Sequence, residues 1–116
     1  MKTARLIGFA QESQACKYLQ QQGLTLVAQN VCYRGGELDL IMRDNQTWVC
    51  VEVKFRRQSH YGSAAETISA AKIRRMGAAF QRYLSDNGVN PAMAPMRLDA
   101  LVIDNKEVNW IKNIGV

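Results

Sequence analysis

Two acids and a lysine stand inside apolar runs in the stretch GELDLIMRDNQTWVCVEVKF, residues 36 to 55. Asp39 lies among leucines and isoleucine, and Glu52 and Lys54 alternate with valines and Phe55. Along a strand, side chains alternate faces, so Val49, Val51, Val53 and Phe55 share one face while Cys50, Glu52, Lys54 and Arg56 share the other. If the two runs form a hairpin about Asp44 to Thr47, the register that superposes their apolar faces sets Leu38 opposite Val53, Leu40 opposite Val51 and Met42 opposite Val49. The same register sets Asp39 across from Glu52.

Cross-strand partners have Cβ atoms roughly 4.5 to 5.5 Å apart, and two carboxylates that close repel unless a cation or a proton lies between them. Oxygen ligands of this kind suit Mg²⁺ or Mn²⁺, which keep several waters and bridge to phosphate groups. Such an ion would acidify water and neutralise charge on a phosphorus centre, and Lys54 could orient or deprotonate the attacking water or steady the departing oxygen. The residue types are those that phosphodiester hydrolysis needs. The plainer reading is a half-exposed sheet face on which Glu and Lys are simply solvated; the like-charge pairing and the apolar flanks argue against it. Glu12 is a third acid, at the margin of the apolar stripe of a predicted helix, where its carboxylate could point along the sheet.

The elements that must hold these groups can be read from periodicity. Ile7, Gly8, Ala15, Tyr18 and Leu19 fall on one side of a helix from about Thr3 to Gln22, with Gly23 where its C-terminus would want it. Leu24 to Tyr33 reads as a strand, Arg34, Gly35 and Gly36 break it, and the hairpin follows. Residues 58 to 68 are polar and small, a loop that includes His60. Ser69 can cap a second helix to about Ser85, buried through Ile73, Met76, Phe80, Tyr83 and Leu84. RLDALVI and EVNWI then look like two late strands turning at Asp104 and Asn105. The order α-β-β-β-α-β-β predicts one α/β domain over residues 1–116, a mixed sheet of about five strands flanked by helices.

Composition limits the function classes. Hydrophobic residues make up 47% and charged residues 22% of the 116, an ordinary globular balance. No run approaches the roughly 20 apolar residues of a membrane span, and the opening residues lack the apolar core of a secretory signal, so a cytoplasmic protein is expected. Cys16, Cys32 and Cys50 are odd in number and lack CxxC spacing, which suggests neither a disulfide framework nor a thiolate zinc site. A net charge of +5 is compatible with a polyanionic partner and also with mere solubility.

In combination, Gly8-x3-Glu12-x2-Ala15, Asn30-x3-Arg34-x-Gly36-Glu37-x-Asp39-Leu40-Ile41, Val51-Glu52-Val53-Lys54-x-Arg56 and Lys72 at the start of the second helix resemble the YraN-like family of uncharacterised bacterial proteins. That family is similar to the archaeal Holliday junction resolvases and, more broadly, to the restriction-endonuclease-like PD-(D/E)xK nucleases. The resemblance implies a restriction-endonuclease-like fold, Mg²⁺ or Mn²⁺ dependence, and hydrolysis of DNA phosphodiesters, with branched DNA among the candidate substrates and a homodimer to cut paired strands. It makes Asp39 and Glu52 the metal ligands, Lys54 the catalytic lysine and Glu12 the first-helix glutamate of the resolvase branch. Leu38 replaces the proline that names the motif. Arg34, Arg56, Arg57 and Lys72 are then the cations expected on nucleic acid.

Lys72 is notable in its own right, because a cation in a helix's first turn opposes the macrodipole and a bound phosphate would relieve the conflict. Arg75 and Arg82 share a face of the same helix; tracking a DNA backbone is one reading, and a solvated helix face is the favoured one. Arg97 and Asp99 are expected to pair structurally. The rival functions are a non-catalytic nucleic-acid-binding module on the same scaffold and a protein-interaction domain using the hairpin edge.

Overall fold

A computed structural model describes residues 4–56, 68–104 and 107–115, with side chains described from residue 13 onward. The elements are α1 (Ala4–Gln21), β1 (Thr25–Tyr33), β2 (Gly36–Asp44), β3 (Thr47–Arg56), α2 (Ala70–Asp86), β4 (Met96–Asp104) and β5 (Glu107–Ile111), in the order expected from periodicity. The five strands form one sheet in chain order. All neighbours are antiparallel except β3 and β4, which the crossover through α2 leaves parallel. No described helix is long and apolar enough to cross a membrane.

Both helices end where their sequences predict. At the end of α1 the Leu24 amide bonds the Leu19 carbonyl and the Gly23 amide bonds the Gln20 carbonyl, a pattern that needs a left-handed residue, supplied by Gly23 at φ +103°. At the start of α2 the Ser69 hydroxyl accepts the Lys72 amide hydrogen at 3.1 Å.

The sheet has a core on each face. Ala15, Cys16 and Leu19 of α1 pack with Leu40, Met42, Val49 and Val51, while Met76, Phe80 and Leu84 of α2 pack with Leu38, Ile41 and Cys50. Phe80 and Leu84 are fully buried, each contributing roughly 1.5 to 3 kcal/mol by leaving water. Phe55, expected to continue the valine face, is 43% exposed beyond the reach of this packing.

One expectation about the hairpin needs correcting. Leu40 pairs with Val51 and Met42 with Val49, as predicted, but Leu38 does not share their face; it joins Ile41 and Cys50 toward α2. The cause lies across the sheet on β1. Ala28 and Val31 also both pack toward α2, which a strict two-residue period cannot do. Between them Asn30 adopts φ +55°, a left-handed conformation that Asn tolerates well. It sits between the pairs Gln29–Leu40 and Val31–Leu38, so the alternation resets on both strands at the level of Asp39. A second irregularity, at Val27, shifts the β1–β2 register.

Candidate active site

The kink at Asp39 decides what its carboxylate does. The β2–β3 ladder runs from Asp44–Thr47 to Leu40–Val51, and one step further the Val53 amide donates to Asp39 Oδ2 at 2.9 Å. A side chain thus takes the place of the strand carbonyl that would otherwise accept this hydrogen. The acid is thereby anchored on the peptide joining Glu52 to Val53, beside the residue the sequence sets it against.

Glu52 follows Cys50 on the face toward α2. Its residue is only 4% exposed, and Lys72 Nζ reaches Oε1 at 3.2 Å from the first turn of α2. A buried carboxylate needs such a partner, since desolvation of an unpaired charge costs several kcal/mol. The conflict between Lys72 and the macrodipole is therefore met inside the fold by Glu52. Both acids crowd Cys50: burial pushes its thiol far above the ordinary 9.0, and the charges of Glu52, Asp39 and Asp99 add to the rise.

Lys54 lies two residues beyond Glu52 on the same face, half-buried and in register with Val102 of β4, and no ion pair joins it to another described residue. Arg56 is half-buried, in register with the buried Asp104. Arg34 is exposed in the β1–β2 turn, away from β3. The side chain of Glu12, together with Arg57 and His60, lies outside the described residues.

The donor set fits a hard cation in chemistry: two carboxylates, no nitrogen or sulfur ligand required. It is incomplete as a cage, for among the described residues no three His, Cys, Asp or Glu side chains gather to hold a metal. Mg²⁺ commonly takes one or two protein carboxylates and completes its shell with water and substrate phosphate, so Asp39 and Glu52 could hold it, with Lys72 yielding its place on Glu52.

The Arg97–Asp99 pair predicted from sequence is present and extends further. Asp99, fully buried, accepts from Arg97 Nε at 3.0 Å, from Trp110 Nε1 at 3.0 Å and from the Asn113 amide at 2.9 Å. Arg97 also reaches Asp44 at 3.0 Å. Burial alone would lower the Arg97 pKa; the bonds and charges of Asp99 and Asp44 outweigh it and hold the guanidinium charged. This network ties β4 to β5 and to the β2–β3 turn, and it leaves Arg97 Nη2 buried without a hydrogen-bond partner among the described residues.

Sequence reasoning missed the Lys72–Glu52 contact and a basic cleft between the β1–β2 turn and α2. The signal for the second was available in part: Lys72, Arg75 and Arg82 recur on one helix face, and Gly36 lets the turn opposite approach closely.

An open mixed sheet of five strands with a helix on each face defines an α/β protein. Residues 11–103 match the model of the uncharacterised protein family UPF0102. Relatives include a UPF0102 protein of Serratia proteamaculans, 45% identical over 94% of this chain and 93% of its own length. Another, from a Janthinobacterium species, is 44% identical over 97% of this chain and 89% of its own. The chain belongs to the UPF0102 family, and the family resemblance seen in its motifs is borne out.

Proposed function

We propose that this chain is a cytoplasmic endonuclease, dependent on Mg²⁺ or Mn²⁺, that hydrolyses DNA phosphodiester bonds, branched junctions among them. The observation that carries the reading is the anchoring of Asp39 on the Glu52–Val53 peptide. It sets the Asp39 carboxylate on the amide next to Glu52, in a strand whose next outward residue on the Glu52 face is a lysine. The likeness of the family to PD-(D/E)xK nucleases supports the same roles.

When bound, the divalent ion supplies charge neutralisation at the phosphoryl oxygens. Asp39 and Glu52 hold it, and the Val53 hydrogen bond fixes the Asp39 carboxylate in place. Lys54 positions the attacking water and takes up its proton in the neutral form, or steadies the departing oxygen in the charged form. The water oxygen forms a bond to phosphorus as the ester P–O bond breaks, and the departing oxygen takes a proton. Lys72, released from Glu52, would be free to pair with a phosphate from the first turn of α2. Cutting two strands related by a two-fold axis calls for a homodimer.

Incubation of a four-way junction, a flap and a duplex with Mn²⁺ tests the reading. Wild type cleaves at least one, and Glu52→Ala and Lys54→Ala lower the rate by a hundredfold or more, on the order expected for loss of a metal ligand or a proton-transfer group. Equal cleavage by all three proteins removes the enzyme claim.

A second reading has one observation in its favour. Glu52 already has an internal cation in Lys72, as it would in a scaffold that binds nucleic acid without turnover. Calorimetry separates the two: the enzyme binds Mn²⁺ and loses it in Asp39→Asn, whereas the binding module shows no uptake.

A further inference from the structure

A cleft of about 650 Å³ is lined by Tyr33, Arg34, Gly35, Gly36, Arg75, Ala79 and Arg82. A smaller one of about 220 Å³ adjoins it, sharing Gly35, Gly36 and Arg75 and reaching Lys72 and Glu37. Together they make a groove along α2, walled on the other side by the β1–β2 turn. Lys72 and Arg82 are ten residues apart on the helix, about 15 Å at 1.5 Å per residue. The groove therefore starts at the cation that touches Glu52 and leads away from the acid pair past Arg75 and Arg82.

Its chemistry is that of an anion channel with an aromatic wall. Among the described residues the larger cleft is lined by Arg34, Arg75 and Arg82 and by no acid, while the smaller one also carries Glu37. Arg82 Nε lies 3.5 Å from Asp86, but both side chains are well exposed, at 71% and 49%, so the pair is weak and leaves other guanidinium N–H groups to donate. The Tyr33 hydroxyl donates to the same Asp86 at 3.4 Å, while packing against the α2-side core keeps its half-exposed ring in the cleft wall. Gly36 lets the turn approach α2 closely, since a Cβ there would lie 3.8 Å from Ala79 Cβ, and Gly35 turns the chain at φ +93°.

We propose that this groove binds a single strand of DNA, with phosphates on Arg34, Arg75 and Arg82 and a base stacked on Tyr33. Arginines that track a backbone and an aromatic ring that takes a base face are the two parts of single-strand recognition. A duplex conceals its base faces and would rest on the rim, whereas an unpaired strand enters and exposes them. The identity of the polymer rests on the nuclease reading, and the groove adds to it that the preferred substrate carries an unpaired segment leaving the cutting site.

The test is fluorescence anisotropy with a labelled short thymidine strand and a duplex of equal length, in metal-free buffer containing a chelator. Wild type binds the strand more tightly than the duplex. Arg34→Gln with Arg75→Gln weakens strand binding about tenfold and lowers the salt slope by roughly 0.7 per charge removed. Tyr33→Leu weakens it roughly fivefold or more through lost stacking, while Tyr33→Phe, which keeps the ring, binds as wild type does. No strand binding by wild type, undiminished binding by the double variant, or equal affinity for the duplex overturns the proposal. Because no metal is present, the outcome is independent of turnover: strand binding by a protein that cleaves nothing in Mn²⁺ removes the nuclease and keeps the groove. Cleavage with silent groove variants does the reverse.

Discussion

The Val53 amide hydrogen is accepted by Asp39 Oδ2 at 2.9 Å, so one of the two site acids also closes the hydrogen bonding of the strand that carries the other. Asp39 thereby has a structural role beside the metal-holding role proposed for it. Its substitution must be read with both roles in view.

Asp39→Asn keeps an oxygen that can accept from Val53 and removes the charge. Its stability in urea unfolding should stay close to wild type while calorimetric Mn²⁺ uptake disappears. Asp39→Ala leaves the Val53 amide without this acceptor and should lose about 1 to 3 kcal/mol in the same unfolding measurement.

Removing the cation from the Lys72–Glu52 pair leaves a buried carboxylate uncompensated. A fully buried pair loses about 3 to 5 kcal/mol when one partner goes; because the Lys72 side chain is 37% exposed, Lys72→Met should cost less, on the order of 2 kcal/mol. Adding Glu52→Gln to Lys72→Met should recover most of that loss. A double variant no more stable than Lys72→Met alone would show that the pair is not what holds this corner together.

The cysteines should differ in reactivity. Cys32 is exposed and should react with a disulfide reagent in the folded protein, whereas buried Cys16 and Cys50 should react only on unfolding. Burial, with Glu52, Asp39 and Asp99 nearby, raises the Cys50 thiol above 9.0, so the folded state favours the neutral form. That contribution to stability is present below pH 9.0 and is lost as the pH rises past it, because the unfolded thiol then ionises while the folded one does not. Cys50→Ala should flatten the alkaline limb of the stability curve.

Asp99 should tolerate substitution poorly. Asp99→Ala strands Arg97 Nε, the Trp110 indole N–H and the Asn113 amide in a partly buried setting, and a loss of about 3 kcal/mol or more in unfolding free energy is expected. Lost DNA cleavage in this variant should be restored under conditions that restore folding, which would separate it from loss at Asp39 or Glu52.

Much of this molecule was determined locally. The apolar periods of α2 and β3, the Ser69 cap, the Gly23 terminus and the Leu40–Val51 register depend on residues close in sequence, whose spacing alone reveals which face is buried. The residue types of the site, two acids and a lysine within apolar strands, were equally legible. Tertiary structure decided what those groups touch. Asn30, on a neighbouring strand, turns Leu38 to the other face and accompanies the break at Asp39. Lys72 meets Glu52 only because the crossover through α2 lays its first turn over β3, and the groove exists only because the same helix runs beside the β1–β2 turn. Contacts between distant segments follow from how layers pack, and no period along a single segment encodes them.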